Sequence, residues 1–411
     1  MKKILALLSI LCCLYLITGA QSVQTGLEVL QQTNFAVLKG KRVGLITNPT
    51  GVNHELKSTV DILFNAPDVQ LTALYSPEHG VRGDYYAGDH VAFFEDPKTG
   101  VPVYSLHGKT KKPTPEMLKG IDILVYDIQD IGSRSYTYIS TLGLAMEAAA
   151  ENNVKMVVLD RPNPLGGIKM EGVVTEPAFI SFVSQFPIPY VHGLTVGELA
   201  QFLNGEGLLK NGVQCDLEII TMNNWNRSMD FEATKLPWVP SSPHIPHAHS
   251  SYFYPVSGIL GELYVYNIGV GYTLPFQLFA TEWINADSLA TNLNALNLPG
   301  LIFRPVHYKP YYSVSKGNLV HGVQVHFADL QKAPLSLIQF YVLQESHKLW
   351  PQHNVFELCE PSRLSMFDKV SGSDKVRKAF TRRWLVEDIE ALWYQDIDGF
   401  RKRAQVYFLY E

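Results

Sequence analysis

Ile121-Asp122-Ile123-Leu124-Val125-Tyr126 runs straight into Asp127-Ile128-Gln129-Asp130, and that switch from apolar to polar decides the fold. A short unbroken apolar run bounded by turn residues suits a strand buried on both faces, as in a parallel sheet. Three more runs share this form. Arg42-Val43-Gly44-Leu45-Ile46-Thr47 ends in Asn48-Pro49-Thr50-Gly51, and Leu71-Thr72-Ala73-Leu74-Tyr75 ends in Ser76-Pro77-Glu78-His79-Gly80. Lys155-Met156-Val157-Val158-Leu159 ends in Asp160-Arg161-Pro162-Asn163-Pro164. Between the runs the spacing is helical. Ile139, Leu142, Met146 and Ala149 share a face stopped by Asn152-Asn153, and Thr195 with Glu198 predicts a capping box ahead of Val196, Leu199, Ala200 and Leu203. This alternation predicts an α/β chain with a Rossmann-like N-terminal domain, a parallel sheet and right-handed crossovers. No G-x-G-x-x-G follows the first strand, so no dinucleotide cofactor is implied.

Working outward, 411 residues exceed one ordinary core. A Pro- and His-rich stretch over residues 237–250 breaks the rhythm. The expected division is therefore 21–243 for the Rossmann-like domain and 244–411 for a smaller α/β domain that closes a cleft. In the second part, Gly322-Val323-Gln324-Val325-His326 reads as a strand, residues 335–350 as a helix, and residues 386–411 as a helix plus a closing aromatic strand. Apolar residues make up 46% and charged residues 18%, which suits a packed globule, and a net charge of −5 argues against nucleic acid as a partner. Lys2 and Lys3 precede an apolar stretch over residues 4–17, followed by Thr18-Gly19-Ala20. This predicts a signal peptide over residues 1–20 and export to the periplasm or beyond; the stretch is too short for a stable membrane span. Bulky Leu11 before Cys12 argues against lipidation there, and Cys215 and Cys359 are open to either pairing or burial as thiols.

Ligands of an open parallel sheet bind beyond the carboxyl ends of its strands, so polar residues there carry functional weight. Those residues are Asn48, then Glu78 and His79, then His107, then Asp127, Gln129 and Asp130, then Asp160, Arg161 and Asn163. Glu78 sits between Pro77 and Gly80; among Tyr75, Tyr85 and Tyr86 its carboxyl would be a general acid with a raised pKa, or it caps the next segment or pairs with Arg82. Asp127 and Asp130, with Arg134 and Tyr136, offer the paired carboxylates of glycoside hydrolysis. Spacing favours an Asp130–Arg134 ion pair as the role of Arg134 and leaves Asp127 open between chemistry and capping the following helix. The Asp160–Gly167 turn binds a hydroxylated ligand or only locks its loop, and His192 reaches the cleft or is structural. His244, His247 and His249 carry no accompanying carboxylate at metal-ligand spacing, and neither H-E-x-x-H nor C-x-x-C occurs, so a metal is the weaker reading. G-x-S-x-G is missing too, which counts against a serine hydrolase.

Five strings taken together carry a resemblance. Ser76-Pro77-Glu78-His79-Gly80-Val81-Arg82-Gly83, Asp127-Ile128-Gln129-Asp130-Ile131-Gly132-Ser133-Arg134 and Asp160-Arg161-Pro162-Asn163-Pro164-Leu165-Gly166-Gly167 are three of them. His192-Gly193-Leu194-Thr195-Val196-Gly197-Glu198-Leu199 and Gly322-Val323-Gln324-Val325-His326 are the others. Across almost the whole mature chain the sequence resembles the exo-β-N-acetylmuramidases of bacterial cell-wall recycling. The resemblance implies hydrolysis of a terminal β-linked N-acetylmuramic acid from peptidoglycan fragments, or of related amino-sugar glycosides, without a cofactor. It also implies Glu78 as catalytic acid, with His79, Asp127 and Asp130 as its partner set. Asn48, Arg82, Gln129, Arg134, Tyr136, Arg161, Asn163, His192 and Glu262 are the further candidate contacts to substrate. One segment departs from the family: where it reads roughly S-E-G-R-G-T-T-R-P-F, this chain has Asn267-Ile268-Gly269-Val270-Gly271-Tyr272-Thr273-Leu274-Pro275-Phe276. A glutamate and two arginines are replaced by apolar residues there, and those arginines would suit the lactyl carboxylate of the sugar.

Overall fold

The computed structural model describes residues 22–78, 80–83 and 93–411. The expectations placed on the leader, on His79 and on Tyr85 and Tyr86 lie outside the described residues. The N-terminal domain is built on β1 (Lys41–Thr47), β2 (Val69–Ser76), β3 (Phe93–Glu95), β4 (Pro102–Ser105), β5 (Ile123–Asp127), β6 (Lys155–Leu159) and β7 (Leu217–Ile220). These form one seven-stranded sheet in the order β3-β4-β2-β1-β5-β6-β7. All its pairings are parallel except β3 with β4.

The apolar runs are unbroken because both faces of the sheet are covered. Ile123 and Val125 turn to the face packed by Leu27 and Leu30 of α1 (Gly26–Gln32) and Val60 and Leu63 of α2 (Thr59–Phe64). Leu124 and Tyr126 turn to the other, against Leu142 and Met146 of α3 (Tyr138–Glu151) and Leu199 and Leu203 of α4 (Val196–Gly205). The capping box of α4 is present: Thr195 Oγ1 accepts from Glu198 N at 3.2 Å, and Thr195 N donates to Glu198 Oε2 at 3.1 Å.

The rest of the chain is a smaller sheet wrapped in helices. Its elements run α5 (Ala248–Gly261), β8 (Leu278–Thr281), α6 (Ala286–Ala295), β9 (Leu301–Tyr308), β10 (Val320–Phe327) and α7 (Ile338–Leu349). Then follow α8 (Val355–Leu358), α9 (Pro361–Ser371), α10 (Lys375–Phe380), α11 (Glu387–Tyr394) and α12 (Ile397–Ala404). The three strands pair antiparallel in the order β8-β10-β9. Leu335–Leu337 is a 3₁₀ turn leading into α7. The linker expected through residue 250 is shorter, because His247 already stands at the N-cap of α5.

The closing aromatic strand is not formed. After α12 comes a 3₁₀ turn, Gln405–Tyr407, and an extended tail held by side chains in place of a ladder. Arg227 lies 3.5 Å over the Phe408 ring, Trp225 meets Tyr410 edge-on, and the Tyr410 hydroxyl donates to Asp160 Oδ2 at 2.6 Å. Cys215 and Cys359 are both free thiols. No helix among the described residues is long and apolar enough to cross a membrane.

Candidate functional site

The parallel strands all end at one edge, and β1 has β2 on one side and β5 on the other, so the winding reverses there. That reversal splays the loops after β1 and β5 and opens a crevice, the usual ligand position in such sheets. A cleft of about 390 Å³ lies at the junction with the C-terminal part. This is in the range of roughly 300–1,000 Å³ found for small-molecule sites. Glu78 lines it from the loop after β2; His244, Tyr254, Glu262, Ile268 and Val270 line it from the other part of the chain.

Glu78 reaches the cleft because β2 ends at Ser76 and Pro77 directs the chain outward. Its side chain is 30% exposed, and Oε1 stands 3.9 Å from Nε2 of His107, which follows the neighbouring strand β4. Asn48, buried at the end of β1, lies beside the Tyr138 hydroxyl, which also senses the charge of Glu78. That hydroxyl donates to Ser241 O at 2.5 Å, and Tyr136 donates to Ser241 Oγ at 2.7 Å. Tyr136 stands edge-on to Tyr254 with centroids 5.5 Å apart. Glu78 and Glu262, the latter at the end of α5, line the cleft directly, while Asn48 and Tyr136 stand behind it through Tyr138, Ser241 and Tyr254.

The wall carrying Ile268 and Val270 is fixed by Asn267. Its Nδ2 donates to Val270 O at 3.1 Å and Val314 O at 2.8 Å, while Oδ1 accepts from Gly269 N and from the Tyr308 hydroxyl. Gly269 and Gly271 have φ of 88° and 87°, and a side chain at either would collide with backbone of Leu274 or Tyr312.

Other candidates lie beneath the cleft and hold the loops together. Asp127 is fully buried, with its carboxylate taken by the Arg161 guanidinium (Nε to Oδ1 2.5 Å, Nη2 to Oδ2 3.0 Å) and by the Thr59 hydroxyl. A carboxylate so occupied is a structural anchor for the β5 and β6 loops. Arg82 pairs with Asp96 and Asp61 and not with Glu78, and it holds the Asp96 carboxyl at about 2. The Asp130–Arg134 ion pair is not formed. Arg134 donates to Val173 O, Ile188 O, Val370 O and Ser184 Oγ in full burial, which pushes its pKa down to about 9. It is a strut between the two parts of the chain.

Gln129 donates to Asp130 O and Pro162 O; Asn163 accepts from Leu165 N and donates to Leu194 O, locking its turn. His192 is buried, with Nδ1 accepting from Leu194 N and Nε2 at 3.6 Å from Asp130 Oδ2. A second cavity, beside Gln129 and Arg161, measures only about 20 Å³, room for roughly one water. A larger open groove is lined by Lys112, which is paired with Glu147 and Glu151, and by Phe186 and Lys210.

The three histidines part company: His244 meets the Tyr312 hydroxyl at 2.8 Å, His247 stands at the N-cap position of α5 without a side-chain capping bond, and His249 packs against Tyr252 and Phe253. Tyr254 and Tyr264 line the cleft without a local signal for it, since Tyr254 beside the helix proline Pro255 reads as core and Tyr264 carries no motif.

Comparison with known proteins covers nearly the whole chain. Residues 43–249 match the family model of the N-terminal part of the exo-β-N-acetylmuramidase NamZ, and residues 252–410 match that of its C-terminal part. The chain is 46% identical over 388 residues to the peptidoglycan β-N-acetylmuramidase NamZ of Bacillus subtilis, covering 94% of this chain and 91% of that protein. A crystal structure of a DUF1343 family protein from Bacteroides fragilis superposes with a TM-score of 0.91 at 60% identity, over 95% of this chain and 99% of that one. A second DUF1343 protein of the same organism gives 0.74 at 31% identity, with the same coverage of both chains.

Proposed function

Because the chain belongs to the exo-β-N-acetylmuramidase NamZ family, we propose that it hydrolyses peptidoglycan fragments from one end. In this reading it releases terminal β-linked N-acetylmuramic acid or a closely related amino sugar. The observation that carries the reading is Glu78, a partly exposed carboxyl opening into the interdomain cleft at the switch point of the sheet. Glycoside hydrolysis passes through an oxocarbenium-like transition state and needs a proton for the departing oxygen. Glu78 supplies that proton. Tyr254 and Tyr264 line the cleft beside Glu262, and Tyr136 stands behind Tyr254, edge-on to its ring. The Lys2-Lys3 start and the apolar stretch behind it support export to the compartment where peptidoglycan lies.

A second reading, a glycan-binding protein without turnover, draws on Ile268 and Val270, whose apolar side chains line the cleft where the family pattern carries charge. Sugar release from a chromogenic β-N-acetylmuramide and its β-N-acetylglucosaminide analogue separates the two. Wild type should cleave the muramide, and Glu78→Gln should lower kcat by about 10²–10⁴-fold with an unchanged melting temperature. Saturable binding of both sugars without release favours the second reading. Release of the glucosaminide alone makes the apolar wall the determinant of the sugar.

A further inference from the structure

We propose that Glu262 is the second catalytic carboxylate of this cleft, the base that takes a proton from the attacking water while Glu78 protonates the departing oxygen. This rests on the glycosidase reading above and assigns the group which that reading leaves open.

Asp130, buried beneath the cleft, accepts from Gly132 N at Oδ2 and leaves Oδ1 without a partner among the described residues, whereas four other buried carboxylates are filled. Asp127 is taken by Arg161 and Thr59. Asp160 accepts from Thr195, Gly197 and Tyr410. Glu171 accepts from Leu335 N, Ser336 N and the Ser336 hydroxyl, and Glu198 is paired with Arg227. Such saturation is the rule for buried polar groups, because an unmet acceptor loses its hydration without return. Glu262 is different. Its side chain is 31% exposed, toward the cleft that Glu78 also lines. No hydrogen bond reaches its carboxyl from the described residues, and its nearest cation, Nη1 of Arg363, stands 3.9 Å away. Arg363 is turned onto the Tyr264 ring, 3.6 Å from its centroid. A carboxylate with acceptor capacity unfilled, inside a cleft that holds a second carboxyl, is arranged for a ligand.

Its surroundings suit a base. Burial raises the Glu262 carboxyl above its ordinary value, and Arg363 offsets only part of that rise. The other titratable groups about it are the hydroxyls of Tyr190, Tyr254 and Tyr264, with Glu78 and His244 on the same cleft. A base whose pKa approaches the working pH takes protons most effectively. Its backbone is fixed as the C-cap of α5, with its N–H donating to Ile259 O at 3.2 Å, so the carboxyl is presented from a rigid element.

The step balances. Water oxygen bonds to the anomeric carbon as the bond to the departing oxygen breaks, and that bond's electron pair leaves with the departing oxygen. The departing oxygen takes the proton of Glu78, Glu262 takes one from the water, and exchange with solvent restores both. A single displacement inverts the anomeric centre.

Glu262→Ala and Glu262→Gln, assayed on 4-nitrophenyl β-N-acetylmuramide beside wild type, test this. The expected result is kcat down by about 10²–10⁴-fold, an unchanged melting temperature, and loss of the acidic limb of the pH profile. Azide should restore turnover in Glu262→Ala with an α-configured glycosyl azide as product, and wild type should release the α sugar first by NMR. Wild-type turnover matched by Glu262→Ala overturns this inference alone, as does retention of configuration or a folded variant that azide does not restore. A wild type that leaves the muramide intact overturns the glycosidase reading and this inference with it.

Discussion

Glu78 and Asp127 each follow a parallel strand and read alike in the sequence, yet they end in opposite circumstances. Pro77 carries Glu78 away from the sheet into the cleft, whereas Asp127 stays in line with its strand and meets Arg161 from the next loop. Strand-end position therefore does not separate a residue that opens into the cleft from one that braces the loops beneath it. The difference lies in which side chain arrives from 34 residues further on, and no local pattern encodes that. The anchor role makes a definite prediction. Asp127→Asn leaves the Arg161 charge buried without its partner, which costs about 3–5 kcal/mol; urea unfolding should show this loss while the folded variant still turns over substrate. A folded, stable variant without activity would return Asp127 to the chemistry.

At the scale of elements, legibility followed the strength of the local signal. The four apolar runs became β1, β2, β5 and β6, and the helices between them have the expected faces. The capping box of α4 was readable because Thr195 and Glu198 satisfy each other's backbone within one turn. Removing its hydroxyl in Thr195→Ala should cost about 0.5–2 kcal/mol, measured by thermal or urea unfolding, and Thr195→Ser should recover most of it. No loss in the alanine variant would mean that the contacts of α4 with the sheet alone hold its first turn. The tail was misread for the reverse reason. Val406, Phe408 and Tyr410 alternate like a strand, but Val406 lies exposed in a 3₁₀ turn, Phe408 and Tyr410 are held by a cation and a ring, and no strand among the described residues pairs with them.

Across the whole molecule, that tail joins the end of the chain to the first domain through Tyr410 and Asp160. Burial raises the Asp160 carboxyl to about 7, despite the hydroxyl and amide donors around it. The folded form thus holds the proton more tightly than the unfolded chain, whose carboxyl keeps its ordinary value near 3.8. Stability from this group is fully present below that value and is lost as pH rises through about 7. Melting temperatures between pH 4 and 8 should fall over this window in wild type, and Asp160→Asn should flatten that part of the curve. An equally steep curve in the variant would assign the slope to other groups.

The sequence by itself determined the α/β class, the parallel sheet, the main helices and the family, because periodicity, capping and motif strings act over a few residues to a few tens. Only the tertiary structure decided which polar residues face the cleft. It seated Glu262 in the same cleft as Glu78 although they are far apart in the chain, and it withdrew Asp127, Arg134 and Arg82 into internal contacts. Charges are claimed by whichever partner folding brings nearest, and that choice is made by packing between elements.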